Sequence, residues 1–228
     1  MILGIDTSTD WLGICLYEES AVLYERTWKT QQRHTVELAP AVAGALDECG
    51  LSVNQLNGLA VALGPGSFTS LRIGLAFIKG LSLAQHLPVA GISTLDCLAY
   101  AQPLSDRLLI CTLQIGRGRL AVGNYKNENG QWIQDGSTRI LTAKELLNQI
   151  NTLTLVCGEL TAEDRHILAR KWKSVILVSA ANSIRRPAYL AELAGRRFQA
   201  GKEDDPATLT PIYLHTTDSI LSSNQQVD

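Results

Sequence analysis

A chain of 228 residues with 46% hydrophobic and 18% charged side chains is long enough to bury one large core or two small ones, and too apolar to stay disordered. No run is long enough to predict a membrane-crossing helix, and the opening Met1-Ile2-Leu3-Gly4-Ile5-Asp6 has no basic leader, so neither membrane nor secretory signal is expected. The formal net charge of −2 is polarised: Arg165 to Lys202 carries nine lysines or arginines against the single acid Glu192, and the flanks sum to −5 on each side. That balance fits contact with RNA or an acidic partner as well as a solvated surface.

Three short β-like runs open the chain, Met1 to Asp6, Trp11 to Tyr17 and Ala21 to Trp28, joined by connections of hairpin length. A helix is expected from Thr35 to Cys49. Leu59 to Leu63 then reads as a strand that breaks at Gly64-Pro65-Gly66-Ser67-Phe68-Thr69 and feeds a second helix running to Ala84. Glycine permits positive φ and close backbone approach while Pro65 fixes one dihedral, so this loop is shaped. It has two readings, a tight strand-to-helix turn capped by Ser67 or Thr69, and an anion cradle at a helix N-terminus. No lysine follows the glycines as a Walker loop requires. A strand at Val89 to Ile92 completes the order βββαβαβ, a mixed sheet covered by helices.

A similar order recurs after Pro103. Strands are expected at Leu108 to Leu113, Arg119 to Tyr125 and Gln131 to Leu141, then a helix from Thr142 to Ile150 and a strand at Leu153 to Val156. Helices at Thr161 to Lys171 and Pro187 to Gly201 follow, with a short strand near Val175 to Val178 between them. The five cysteines, Cys15, Cys49, Cys97, Cys111 and Cys157, form no CxxC pair and read as reduced core thiols of a cytosolic protein. His34, His86, His166 and His215 fall at no zinc-site spacing, and neither a metal nor a cofactor is expected.

On a helical wheel, Glu37, Pro40, Gly44, Asp47 and Glu48 of the first helix collect on one narrow strip, and apolar residues cover roughly 220°, about twice what docking on one sheet consumes. The second helix mixes small and large residues along its ridges, which permits close helix approach. Either the neighbouring helix or another polypeptide must cover the remaining surface.

Ile5-Asp6-Thr7-Ser8, His34-Thr35 at a helix start, Gly64-Pro65-Gly66-Ser67-Phe68-Thr69 with Leu71-Arg72-Ile73-Gly74, and Pro211-Ile212-Tyr213-Leu214 resemble, in that order, the TsaB (YeaZ) family over nearly the whole chain. The resemblance implies an α/β, ASKHA-type fold of two RNase H-like halves, each a mixed sheet covered by helices. Residues 1–103 are the expected N-terminal half with the partner-binding helices, 104–218 the C-terminal half, and 219–228 a disordered tail. It implies a cytoplasmic, non-catalytic scaffold that binds and activates TsaD, the paralogue performing threonylcarbamoyl transfer, in forming N6-threonylcarbamoyladenosine in tRNA. TsaE, an ATPase, is the further partner, tRNA is reached through the complex, and a second copy occupies the same helices when TsaD is absent. The implied interface is Thr35, Leu38, Ala39, Val42 and Leu46 on the first helix with Ser70, Ile73, Gly74, Phe77 and Leu81 on the second.

Departures from the family pattern are Gln114-Ile115-Gly116, where an Asp-Ala-Arg turn is usual, Ser70 in place of glycine and His215 in place of arginine. The alternative is a small ASKHA phosphotransferase or a glycopeptidase-like hydrolase acting alone. For that chemistry Asp6, Thr7, Ser8, Gly64, Gly66 and Ser67 supply part of a phosphate-holding loop, although Asp6 equally suits an Asx cap of its own turn. His34 is followed at i+4 by Leu38 instead of a second, metal-pairing histidine, so it reads as a helix-entry or interface residue. Neither Ser67 nor any cysteine stands in the context of an activated nucleophile. Arg185, Arg186, Arg196 and Arg197 are the candidate RNA contacts.

Overall fold

The computed structural model describes residues 1–214; His215 and the tail expected at 219–228 lie outside the described residues. Strands β1 (Ile2–Asp6), β2 (Trp11–Glu18) and β3 (Ala21–Lys29) form the expected antiparallel meander. They are followed by α1 (His34–Glu48), β4 (Gly58–Gly64), α2 (Phe68–Gln85), β5 (Val89–Ser93) and α3 (Thr94–Tyr100). Helix α3 starts directly at the end of β5, with no connecting loop for the sequence reading to find. The sheet order is β3-β2-β1-β4-β5, and β1, β4 and β5 run parallel.

The second set comprises β6 (Leu108–Gln114), β7 (Leu120–Glu128), β8 (Gln131–Gln134), β9 (Arg139–Leu141), α4 (Ala143–Gln149), β10 (Thr154–Gly158), α5 (Ala162–Ala169), β11 (Val175–Leu177) and α6 (Pro187–Gln199). Its sheet runs β11-β10-β6-β7-β8, with β10 parallel to β6 and β11 and the meander antiparallel. Reversed, this is the path of the first sheet, three meander strands followed by two parallel ones. The duplication is therefore topological, and the fold is the ASKHA type with two RNase H-like sheets. The single strand expected from Gln131 to Leu141 is two strands, because Gly136 takes a positive φ of 79° and turns the chain, leaving β9 to pair with β7.

The halves are not the contiguous segments 1–103 and 104–218. Two compact units emerge, Met1–Cys97 joined by Arg185–Ile212, and a second built on Leu98–Ile184. The physical reason is α6, which lies on β1, β2, β4 and β5. Alternation along the strands prepares two unlike faces. Leu3, Ile5, Leu59 and Val61 point to the α1 and α2 side, while Gly4, Gly13, Gly58, Ala60 and Ala62 make the other face shallow enough for α6 to settle closely. A Cβ at Gly58 would stand 2.6 Å from the Phe198 ring, and one at Gly13 would stand 3.2 Å from Pro187. In the second unit, Ile110, Leu120, Val122 and Val156 form a core with Leu146 of α4 and Leu168 of α5.

Helix α1 docks through Leu38, Val42, Ala45 and Leu46, all in the main core with Leu75 and Ile78 of α2. Trp28 Nε1 of β3 donates to Glu37 Oε2 at 2.8 Å, which holds that carboxyl below its ordinary range and fixes the rotation of α1. This corrects half of the expected interface: Leu38, Val42, Leu46, Ser70 and Gly74 are buried within the unit itself. The wheel overestimated the free arc because the sheet and α2 together cover the ridge containing Leu38, Val42 and Leu46. Aspartate at Val42 or Leu46 would strike the core instead of a docking face.

Burial also sets thiol reactivity. It pushes Cys15 up to about 12 and Cys97 well above the ordinary thiol value, and Cys111 and Cys157 are fully buried, leaving only Cys49 half-exposed. Alkylation of the native protein at pH 8 is expected to label Cys49 first, with the other four reacting only after denaturation; mass spectrometry of the timed reaction checks this.

Candidate functional site

The loop after β4 and the turn after β1 meet, as the glycines require. Ser67 N–H donates to Ser8 O at 2.7 Å, and a Cβ on Gly66 would fall 2.1 Å from that same carbonyl oxygen. Thr7 Oγ1 donates to Ser70 O at 2.7 Å, pressed so tightly that a Cβ on Gly74 would come within 2.3 Å of it. The Ser8 and Thr94 hydroxyls lie 2.7 Å apart, and Thr94 Oγ1 accepts the Gly64 N–H at 3.1 Å. Ser67 is the N-cap residue of α2, but its hydroxyl accepts from Ser70 Oγ at 3.0 Å instead of capping the helix. All six residues of the phosphate-loop reading, Asp6, Thr7, Ser8, Gly64, Gly66 and Ser67, are thus brought together: Ser8 bonds Asp6 and Ser67, Thr7 bonds Ser70, Gly64 bonds Thr94, and Gly66 packs against Ser8 O. One donor of an anion cradle, the Ser67 N–H, is already used by Ser8 O, which favours the strand-to-helix turn, although no side chain caps α2.

Asp6 plays two structural parts. Its Oδ1 accepts the Ser8 N–H at 2.8 Å, the Asx cap expected as one option, and its Oδ2 is 2.8 Å from Arg185 Nε. Both side chains are buried, and Arg185 Nη2 also donates to Thr9 Oγ1 at 2.9 Å. His34, buried at the start of α1, meets Thr9 O through Nε2 at 2.9 Å. The carboxylate a phosphotransferase would present to a metal is here neutralised by the protein's own guanidinium. Sequence reasoning missed this pairing.

The arginines expected to touch RNA are likewise occupied. Arg185 is buried on Asp6, which corrects its assignment. Arg186 Nε donates to Glu25 at 2.9 Å, and Glu25 also accepts the Ala188 N–H, holding its carboxylate at the N-terminus of α6. Arg196 pairs with Glu192 at 3.3 Å, and Arg197 donates to Gly91 O and Asp204 Oδ1 at 2.7 and 2.8 Å. In the second unit Gln114 donates through Nε2 to Asp164 Oδ2 at 2.7 Å.

What faces outward on the first unit is a broad strip of small and apolar residues along α1 and α2. On α1, Thr35, Val36, Ala39 and Ala43 are exposed, Val36 by 62%. On α2, Ala76, Gly80 and Leu83 are exposed and Ile73, Phe77 and Leu81 half-buried, with Leu83 at 79%. A Cβ added at Gly44 or Gly80 would meet nothing within 4 Å. Of the ten expected interface residues, Thr35, Ala39, Ile73, Phe77 and Leu81 belong to this strip. Arg72 stacks over the Phe68 ring at 3.6 Å at its edge.

A sequence model for the family described as TsaD: tRNA N6-adenosine threonylcarbamoyltransferase matches residues 28–186. The tRNA threonylcarbamoyladenosine biosynthesis protein TsaB of Bacillus subtilis (strain 168) is 30% identical over 225 residues, 96% of this chain and 95% of that protein. The protein of the same name from Escherichia coli (strain K12) is 31% identical over 143 residues, 61% of this chain and 62% of its own. Among solved structures, YeaZ from Pseudomonas aeruginosa superposes with a TM-score of 0.77 at 23% identity, covering 93% of this chain and 99% of that one.

Proposed function

The chain belongs to the TsaB (YeaZ) family, and from that premise we propose that it is a non-catalytic subunit that binds and activates TsaD in forming N6-threonylcarbamoyladenosine in tRNA. The observation carrying this reading is the outward strip of α1 and α2, where Val36, Leu83 and a row of alanines lie uncovered beside half-buried Ile73 and Phe77. Small residues let a partner helix approach closely, and association then rests on buried apolar area. TsaD is the first occupant, a second copy takes the same face in its absence, and TsaE joins the larger complex.

Phosphoryl transfer by this chain alone fits poorly, since Asp6 is bound to Arg185 and the glycine loop is bound to Ser8. Mixing the protein with its cognate TsaD and measuring mass and tRNA modification tests the proposal. A heteromeric complex is expected, with modification only when both proteins are present. Absence of association, or turnover by this chain alone, rejects it.

A further inference from the structure

Among the described residues, subtracting every basic side chain from Arg165 to Lys202 that forms an ion pair or a hydrogen bond leaves Arg170, Lys173 and Lys202. Arg165 donates twice to Val178 O, and Lys171 Nζ donates to the carbonyls of Leu147 and Ile150, closing the end of α4. The four arginines from Arg185 onward are occupied as described. In the second unit, Arg170 and Lys173 are exposed, and among the described residues neither forms an ion pair. Between them Trp172 is 71% exposed, an unusual position for so large an apolar ring, and Lys173 Nζ stands 5.3 Å from its centroid.

The turn that carries them is set in advance. Ser174 N–H and Val175 N–H both donate to Lys171 O, at 2.8 and 2.9 Å, and Arg170 N–H donates to Ile167 O at 3.2 Å. From Arg165 to Lys173 the chain has no carboxylate and also carries His166. An exposed aromatic ring flanked by two cations outside any ion pair, one of them against the ring itself, on a fixed turn is the arrangement that stacks a base and holds the neighbouring phosphates. We propose that Arg170, Trp172 and Lys173 form an RNA-docking point, with an unpaired nucleotide base stacked on Trp172 and its flanking phosphates on Arg170 and Lys173. The inference deepens the reading of a subunit that serves tRNA modification and rests on it for the choice of RNA. An acidic protein surface would use the two cations but not the ring.

Binding of the full-length protein to fluorescein-labelled oligouridine and to unmodified tRNA, measured by anisotropy across a salt series, tests it, with heparin as an anion lacking bases. Trp172→Ala is expected to weaken both RNAs by roughly 5- to 100-fold and to leave heparin unchanged, and Trp172→Phe to restore most of the loss. Removing Arg170 and Lys173 together should lower the slope of log K against log salt by about 1.4, whereas Lys202→Ala, an exposed lysine in the other unit, should leave it as it is. Three results overturn the proposal: no RNA binding by the parent at low salt, unchanged RNA affinity in Trp172→Ala, or equal loss of RNA and heparin. Calorimetry of the same variants with TsaD separates the two ideas, because unaltered association alongside unaltered RNA affinity removes only the docking point.

Discussion

A chain carrying aspartate at both Ala39 and Ala76 is expected to lose its association with TsaD while still folding. Both positions are exposed on the outward strip, so the folded unit suffers only the difference in helix propensity, about 1 kcal/mol for the pair. In the complex each carboxylate is buried against apolar surface without a counter-charge, which costs on the order of 3 kcal/mol or more, a hundredfold or greater loss of affinity. Titration calorimetry beside a thermal melt separates the two effects. A folded variant that binds TsaD as tightly as the parent would show that α1 and α2 are not the docking face.

The second large effect is expected at the pair Asp6–Arg185. Arg185→Ala leaves a buried carboxylate with only the Ser8 N–H, and the expected loss is about 3–5 kcal/mol, with the melting point of the first unit falling by roughly 10 °C. Replacing both partners by neutral residues of similar shape, Asp6→Asn with Arg185→Met, should recover most of that loss, because desolvation of a buried pair offsets much of its attraction. Urea unfolding of Asp6→Asn, Arg185→Met and the double variant beside the parent gives the coupling energy. If Arg185→Ala unfolds within about 1 kcal/mol of the parent, the pair does not anchor the segment entering α6.

The elements were legible where local signals ran together. Alternating apolar residues, hairpin-length connections and the glycine break after Leu63 place β1 through β5 and both long helices within a few residues. The whole second sheet was similarly readable, apart from the turn at Gly136. What escaped was set by distance along the chain. Asp6 and Arg185 are separated by 179 positions, and no spacing rule connects a carboxylate at a strand end to an arginine before a late helix. The destination of α6 was equally hidden, although Gly4, Gly13, Gly58, Ala60 and Ala62 mark one face of the sheet as shallow. The interface was half legible: a wheel measures how much of a helix is apolar, but only packing says which apolar residues the protein keeps for itself, as Leu38 and Val42 show against Ala39 and Ala43.

The position of α6 bears on how the molecule is made. Its thirteen residues, Pro187–Gln199, are the cover for a sheet whose strands all leave the ribosome before Thr94, so that face must wait for about a hundred further residues. At roughly 5–20 residues per second the interval lasts several seconds, during which Ala60, Ala62 and Ile92 have no lid. The first unit is thus the last to close during synthesis, and a nascent chain stalled in the intervening segment presents a bare sheet to whatever chaperone reaches it.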